Sequence, residues 1–305
     1  MIARADLFGE PVRFGAQLSP RGDRVAFLAA RDGVTNLWVL PVGAMEEARA
    51  VTDDRGRGVR SFAWGPDSAT LLYFVDGAGD GNTQLFAVSA DGGEARALTP
   101  PGARAELAGV SLADPDGVVI TLNQRDAAWP DLMRVDLATG SRTLMQRNGA
   151  TPATRFIRFV LDRENRLRLG LRPQANGSVD VLSRSSDGAW SVLFAIPFED
   201  VPLSSPIAFE AGGNSFLMFD SAGRDRAVLM RVDAETGGKT VLGESARADV
   251  ADVWLDAASN APEAFAANYL RTEWRALELE AQADLEFLDA QLSGDFSVTS
   301  RSADD

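Results

Sequence analysis

The sequence contains no histidine, no cysteine and a single lysine, Lys239, among its 305 residues. Without imidazole the chain cannot build a Ser-His-Asp or Cys-His relay, or a histidine-ligated zinc site. Without thiols it cannot supply a thiolate nucleophile, a disulfide or a cysteine metal cluster. A Ser-Lys dyad or a Schiff-base lysine would have to use Lys239. We therefore assign no catalytic, cofactor-binding or metal-binding residue from the sequence, and no cofactor.

Positive charge is also scarce, since 30 Lys and Arg stand against 44 Asp and Glu, for a net charge of −14. Nucleic acids and anionic membranes are both recognised by basic surfaces, so we expect neither as a partner. Residues 1–6 contain no apolar segment of a secretory signal. No stretch approaches the ~18 consecutive apolar residues of a membrane span. These absences predict a cytoplasmic protein.

The sequence does contain a repeat. A turn rich in Gly, Pro, Asp and Ser repeatedly precedes an apolar strand, and equivalent turn positions are about 45 to 49 residues apart. The equivalent turn positions are Gly22, Ser68, Gly117, Asn165, Gly213, Asn260 and Asp305. An alternating strand follows each turn at the same period, starting at Leu37, Leu85, Leu132, Val179, Val228 and Trp274. Two markers with one period predict an all-β fold, a β-propeller whose four-stranded blades are ~47 residues long.

The repeat divides residues 1–305, taken as a single domain, into six blades. We predict them roughly at 13–60, 61–106, 107–153, 154–203, 204–248 and 249–293. Residues 294–305 are either the start of a seventh blade or the strand that closes a six-bladed ring. In the first blade we place strands near 13–19, 24–30, 36–42 and 48–52. Glycine pairs in residues 91–94 and 235–238 predict hairpin turns between third and fourth strands.

One segment departs from the strand pattern. Between residues 273 and 292 apolar side chains recur at helical spacing, at Leu277, Ala281, Leu285, Leu288 and Leu292. This spacing predicts an amphipathic helix near 275–292, inserted in blade six, whose start competes with the strand marker at Trp274. The acidic side chains off the stripe are predicted to form a solvated face: Glu278, Asp284, Glu286 and Asp289.

Three acidic or polar motifs resemble functional sites. Residues 76–82 look like a calcium loop, but Ala78 and Ala87 occupy ligand positions, so we predict a hairpin loop. Residues 176–178 fit a glycosylation sequon, yet Asn-Gly is also a preferred hairpin dipeptide, and we predict a turn. The adjacent carboxylates at 46–47 and 53–54 diverge from one another and receive no catalytic role.

Aromatic and basic residues give further expectations. Four tryptophans fall in the repeated strands and are predicted to pack between blades: Trp38, Trp64, Trp254 and Trp274. Trp129 and Trp190 lie nearer to loops and are better candidates for an exposed contact. The basic segment 55–60 precedes the inner strand of blade two. We interpret it as a structural loop that neutralises nearby acids, with an anion site as the alternative. The same two interpretations apply to Arg271.

The repeats resemble those of TolB-type and prolyl-oligopeptidase-type propellers, through residues 19–27 and 85–99. Four later segments, in order, resemble the N-terminal propeller of bacterial S9-family serine peptidases of the dipeptidyl-aminopeptidase and acylaminoacyl-peptidase-like group. They are residues 196–200, 220–225, 246–250 and 294–301. The resemblance covers essentially the whole chain.

This resemblance implies a propeller that restricts access to a C-terminal α/β-hydrolase domain, admitting short peptides and excluding folded proteins. The hydrolase domain, which carries the family's chemistry, is missing here: no Gly-x-Ser-x-Gly and no histidine occur. The expected function is therefore a substrate gate, inactive alone, in an N-terminal fragment of a longer peptidase. Its partners would be that hydrolase domain and short peptides. The alternative is a complete six-bladed, TolB-like propeller that serves as a binding platform for proteins or ligands.

Overall fold

A computed structural model describes residue 4 and residues 11–303 of the chain. Blade one contains β1 (Arg13–Leu18), β2 (Arg24–Arg31), β3 (Val34–Pro41) and β4 (Arg49–Ala50). Blade two contains β5 (Val59–Trp64), β6 (Thr70–Val75), β7 (Gln84–Ser89) and β8 (Arg96–Ala97). Blade three contains β9 (Ala105–Val110), β10 (Gly117–Leu122), β11 (Asp131–Asp136) and β12 (Arg142–Gln146).

Blade four contains β13 (Arg158–Leu161), β14 (Leu167–Pro173), β15 (Val179–Arg184) and β16 (Trp190–Ile196). Blade five contains β17 (Ser205–Phe209), β18 (Ser215–Asp220), β19 (Val228–Asp233) and β20 (Lys239–Gly243). Blade six contains β21 (Val250–Leu255), β22 (Pro262–Tyr269) and β23 (Arg271–Ala276), followed by helix α1 (Leu279–Gln291). Short 3-10 helices lie at Met45–Glu47, Pro152–Thr154 and Phe198–Asp200.

Every sheet is antiparallel and follows chain order, so the predicted β-propeller of six blades is confirmed. Within the described residues five sheets have four strands and that of blade six has three. The strands of blade one lie where the repeat placed them. Strands β5 and β9 begin slightly before the predicted starts of their blades, because Val59 and Ala105 already pair with Val75 and Leu122.

The aligned turn position has a physical basis in backbone geometry. It adopts positive φ in five of the repeats, at Gly22 (69°), Ser68 (58°), Asn165 (58°), Gly213 (68°) and Asn260 (58°). Glycine and asparagine tolerate this left-handed conformation, which explains their recurrence. Gly117 is the exception, since it begins β10, where a Cβ would have to displace the Arg134 guanidinium. Asp305 lies outside the described residues, as do residues 1–6 except Arg4.

The predicted hairpin turns are also confirmed. Gly92 (φ 84°) and Gly93 (φ 116°) connect β7 to β8, and Gly237 (φ 72°) connects β19 to β20. Gly177 (φ 83°) turns the chain between β14 and β15, which confirms the turn interpretation of residues 176–178.

The core is divided into layers between neighbouring blades. Successive residues of a strand point to opposite faces, so Leu71 and Tyr73 of β6 pack on blade one, and Leu72 and Phe74 pack on blade three. Equivalent apolar layers join blades three to four, four to five and five to six. Because both faces of a central strand are buried, these strands are nearly continuous apolar runs.

The two ends of this series of blades differ from the middle. The free face of blade six, around Trp254, is covered by α1 and by Phe296 and Val298. The free face of blade one carries its own cluster, which includes Phe27 and Leu40. Within residues 11–303 no apolar layer joins blade six to blade one.

Residues 299–303 bridge that gap with hydrogen bonds instead. The Leu18 N–H donates to Ser300 Oγ at 2.8 Å, and the Ala303 N–H donates to the Pro20 carbonyl at 2.6 Å. These residues link the terminal blades without forming a strand.

The predicted helix is confirmed, with a later start. Strand β23 takes residues up to Ala276, including Trp274, and α1 begins at Leu279. Ala281 and Leu285 are buried against blade six. The acidic side chains off the stripe are exposed, as predicted.

Candidate functional site

The candidate site is the centre of the ring with its two ends. First strands of neighbouring blades contact one another, as β13 does with β9 and β17, so these strands surround the axis. We call the end formed by the turns after the first strands the turn face; it comprises residues 19–23, 65–69, 111–116, 162–166, 210–214 and 256–261. We call the opposite end the linker face. It comprises the inter-blade links 51–58, 98–104, 147–157, 197–204 and 244–249, and the hairpin tips between second and third strands.

Hydrogen bonds connect the turns of the turn face to one another. The Arg21 N–H donates to Ser68 Oγ at 3.2 Å, between blades one and two. Other pairs are Arg168 with the Gly213 carbonyl at 2.9 Å and the Ala211 N–H with the Ser259 carbonyl at 2.7 Å. The turn face is therefore tied together around most of the ring.

Arg163 makes a contact of a different kind, because it skips a blade. Its guanidinium, in the turn of blade four, donates to Asn260 Oδ1 at 2.8 Å and to the Ala257 carbonyl at 3.1 Å, both in blade six. Its own carbonyl accepts a hydrogen bond from the Ser111 hydroxyl of blade three. A chord between blades four and six lies on the axis side of blade five. Arg163 therefore extends along the axis side of blade five at the turn-face end of the ring.

A buried carboxylate holds the turn that carries Arg163. Asp162, whose side chain is 1% exposed, accepts hydrogen bonds from the Arg166 N–H (2.9 Å), Arg166 Nε (2.8 Å) and Arg168 (3.1 Å). Burial acts to raise the pKa of Asp162, but these hydrogen bonds outweigh it and bring the pKa below its ordinary value. The charged carboxylate thus fixes the turn beside the channel.

The acidic loop of blade two is a capped hairpin loop, as predicted. The buried carboxylate of Asp76 accepts the N–H groups of Gly79 (2.7 Å), Asp80 (3.2 Å) and Gly81 (3.2 Å). Its oxygens are thus directed at the backbone. Within the described residues no group of three or more acidic side chains is arranged to hold a metal ion.

In the basic segment 55–60, Arg55 has the acidic neighbour that the structural interpretation expects. Arg55 pairs with Asp53 at 3.0 Å, and Asp54 accepts the Gly58 N–H at 2.6 Å. Arg271 is likewise paired, with Asp295 at 2.8 Å. The acids next to these arginines neutralise them, which favours the structural interpretation over an anion site.

Lys239 is also committed to a structural contact. Its ammonium lies 2.6 Å from the carboxylate of Asp220, which is 2% exposed, and 4.2 Å from the ring centre of Phe194. Nearby, the buried Ser221 hydroxyl donates to Asp200 at 2.8 Å. Sequence reasoning did not identify this polar cluster, although its acids lie in the segments 196–200 and 220–225 that carry the family resemblance.

Of the four strand tryptophans predicted to pack between blades, Trp64 does so, in the layer between blades one and two. The prediction is wrong for the other three, because they lie on blade faces that no neighbouring blade covers within the described residues: Trp38 on blade one, and Trp254 and Trp274 on blade six. Trp190, predicted to be nearer a loop and available for contact, instead begins β16 and packs on Phe156 with ring centres 4.6 Å apart. That prediction is wrong for Trp190, because its ring completes the layer between blades three and four. Trp129 is half-buried in a loop, with the Arg155 guanidinium 5.6 Å from its ring centre.

Comparison with known proteins shows which peptidases the chain resembles. No protein-family model matches the chain. Dipeptidyl aminopeptidase BIII of Pseudoxanthomonas mexicana is 41% identical over 306 residues, which cover 100% of this chain and 44% of that protein. The whole chain is thus similar to part of an S9-family peptidase, and the chain spans less than half of that relative's length.

Solved structures agree on the β-propeller fold. A prolyl endopeptidase superposes with a TM-score of 0.62 and 14% identity, over 85% of this chain and 40% of that one. The acylaminoacyl peptidase of Pyrococcus horikoshii superposes with a TM-score of 0.55 and 15% identity, over 92% and 47%. The propeller spans less than half the length of each of these proteins. Among its described residues no helix is long and apolar enough to cross a bilayer.

Proposed function

We propose that this propeller is the non-catalytic, access-restricting part of an S9-type serine peptidase, working with a C-terminal α/β-hydrolase domain on short peptides in the cytoplasm. The observation that carries the proposal is 41% identity along the whole chain to a dipeptidyl aminopeptidase of which the chain spans 44%. The chain lacks histidine, cysteine and a Gly-x-Ser-x-Gly segment, so the hydrolytic groups must come from other polypeptide.

The turn face supports an access-restricting role. Arg163 extends along the axis side of blade five there, and its two hydrogen bonds to blade six hold it in place. A folded domain is far too wide for the centre of a six-bladed ring that is narrowed in this way. An extended peptide has a much smaller cross-section, so the ring favours peptides over folded proteins.

The gap between blades six and one supports pairing with further polypeptide. A cavity of about 520 Å³ opens beside it, lined by residues 298–303 and by side chains of blades one, two, three and six, among them Trp64, Val110 and Trp254. Trp254 is 8% exposed, and its indole N–H has no hydrogen-bond partner within the described residues. A buried donor without an acceptor is costly, and a backbone carbonyl of an added strand would satisfy it. The proposal therefore includes residues 294–305 as the start of a seventh blade.

A chimera tests the pairing. This chain replaces the matched part of dipeptidyl aminopeptidase BIII, and hydrolysis of a dipeptidyl chromogenic substrate is measured for the chimera and for the chain alone. We expect turnover by the chimera and none by the chain alone. Turnover by the chain that survives stringent purification would overturn its non-catalytic role. A chimera that is monodisperse and folded but inactive would overturn the pairing.

A further inference from the structure

The hairpin between β22 and β23 has an unusual tip. Leu270 is 92% exposed and has a φ of 63°. Among the described residues, the other non-glycine residues with positive φ are of types that tolerate it better than leucine does: Asp32, Ser68, Asn165 and Asn260. An exposed leucine side chain also contributes no burial of apolar surface to the fold. The stability of the fold therefore does not explain a leucine at position 270.

The surrounding residues hold the tip in that conformation. The Arg247 guanidinium lies 4.9 Å from the ring centre of Tyr269 and forms an ion pair with Glu273. On the other side, Asp295 accepts hydrogen bonds from Arg271 Nε at 2.8 Å and from the Thr272 N–H at 3.1 Å. Strained residues that are fixed in this way are concentrated at functional positions.

The tip projects from the linker face, where other large apolar side chains are exposed. Phe198 is 67% exposed and Ile157 is 56% exposed, each in a link between blades. Strand β1 begins at the linker face and ends at the turn face. In the four-stranded blades the fourth strand returns the chain to the linker face. The described chain ends at the turn face, where the Ala303 N–H donates to the Pro20 carbonyl. A seventh blade completed on residues 294–305, as proposed above, would return the chain to the linker face and bring the hydrolase domain there.

We propose that Leu270, with Tyr269 beside it, is a docking contact for the α/β-hydrolase domain of the same peptidase. This inference rests on the proposed function. The neighbouring arginines are neutralised by Glu273 and Asp295, so the surface that covers the tip is apolar rather than acidic. An exposed apolar side chain held rigidly in place loses little conformational freedom on docking, which makes it an effective anchor.

The chimera described above tests this inference through L270D and L270G, with L279D as the matched control. Leu279 is 89% exposed, but it begins α1, which follows β23 beyond the turn-face end of that strand. We expect L270D to lower kcat/KM about tenfold or more, L270G to lower it about fivefold, and L279D to stay within about twofold. The isolated chains carrying L270D or L270G should unfold at midpoints no lower than the parent chain.

Hydrogen exchange provides a readout that does not depend on activity. We expect amide exchange at residues 268–272 to be about tenfold slower in the chimera than in the isolated chain, and L270D to abolish that protection. Unchanged exchange, or L270D and L270G chimeras as active as the parent, would overturn the docking contact and leave the proposed function standing. A folded but inactive parent chimera is the separate outcome that overturns the proposed function.

Discussion

The Arg163 guanidinium donates a hydrogen bond of 2.8 Å to Asn260 Oδ1 and thereby joins blade four to blade six past blade five. A second bond runs to the Ala257 carbonyl at 3.1 Å. Neighbouring blades are held by apolar layers, whereas this link depends on one side chain. It ties the stability of the two blades together at the turn face.

Arg163→Ala should therefore destabilise the chain. The change removes two hydrogen bonds from a charged donor and leaves two acceptors in need of water, at a cost of about 1–3 kcal/mol in the free energy of unfolding. Urea denaturation measures this loss. The control is Arg55→Ala, which removes only an exposed pair with Asp53 and should leave the urea midpoint unchanged. Equal midpoints for both variants would contradict the structural role of Arg163.

Leu270→Gly should stabilise the isolated chain. The left-handed conformation at φ 63° costs a leucine ~1–2 kcal/mol, and glycine gives back ~0.5–1 kcal/mol of that through the freedom it adds to the unfolded state. The expected gain is about 0.5–1 kcal/mol in urea denaturation. Leu279→Gly, in the first turn of α1, should instead destabilise, because glycine is a poor helix former. A loss of stability in Leu270→Gly would show that the tip is not strained.

Gly170→Ala tests the packing between blades three and four. A Cβ on Gly170 would lie 2.6 Å from Cδ1 of Phe156, which is 2% exposed and cannot move without disturbing Trp190. Overpacking of this kind costs about 1–3 kcal/mol of unfolding free energy. At Gly77 no described atom lies within 4 Å of such a Cβ, so Gly77→Ala should be close to neutral. The unfolding midpoints of the two variants are compared by thermal or urea denaturation. Similar midpoints would contradict the described packing.

The lowered pKa of Asp162 makes a prediction about acid stability. Its folded-state pKa lies below the ordinary value of 3.8. A depressed carboxyl pKa contributes stability above the unfolded-state value, and that contribution is lost as the pH falls through the folded-state pKa. Asp162→Asn should thus be less stable than the parent chain at neutral pH, and the difference should shrink below about pH 4. A difference that stays constant from pH 7 to pH 3 would contradict the charged state of Asp162 in the folded chain.

Most of the fold could be predicted from the sequence because it is encoded locally. The turn residue with positive φ recurs in five of the six described blades, as at Asn165 and Asn260, and its period reveals the repeat. Alternation along β6 sends Leu71 and Leu72 to opposite neighbours, which is the sequence pattern of a blade buried on both sides. The helical spacing of apolar residues predicts the helix. Only its start lies later than predicted, because Trp274 belongs to β23.

The site could not be predicted in the same way. Arg163 and Asn260 are 97 positions apart, and only the closure of the ring brings them within hydrogen-bond distance. Leu270 gives no local signal either, because a leucine between Tyr269 and Arg271 predicts strand rather than a left-handed turn. The prediction that Trp190 is available for an exposed contact is wrong for a related reason. Its burial depends on Phe156, which lies in the link before blade four. The repeated sequence pattern encodes each blade, but it carries no information about contacts between side chains of distant blades.

The most direct measurement of the central claim is size selection by the chimera. The values of kcat/KM are compared for a short peptide and for a folded protein that carries the same N-terminal dipeptide on a flexible end of equal length. If the propeller restricts access, the short peptide should be preferred by about a hundredfold or more. Comparable kcat/KM values for the two substrates would contradict an access-restricting propeller.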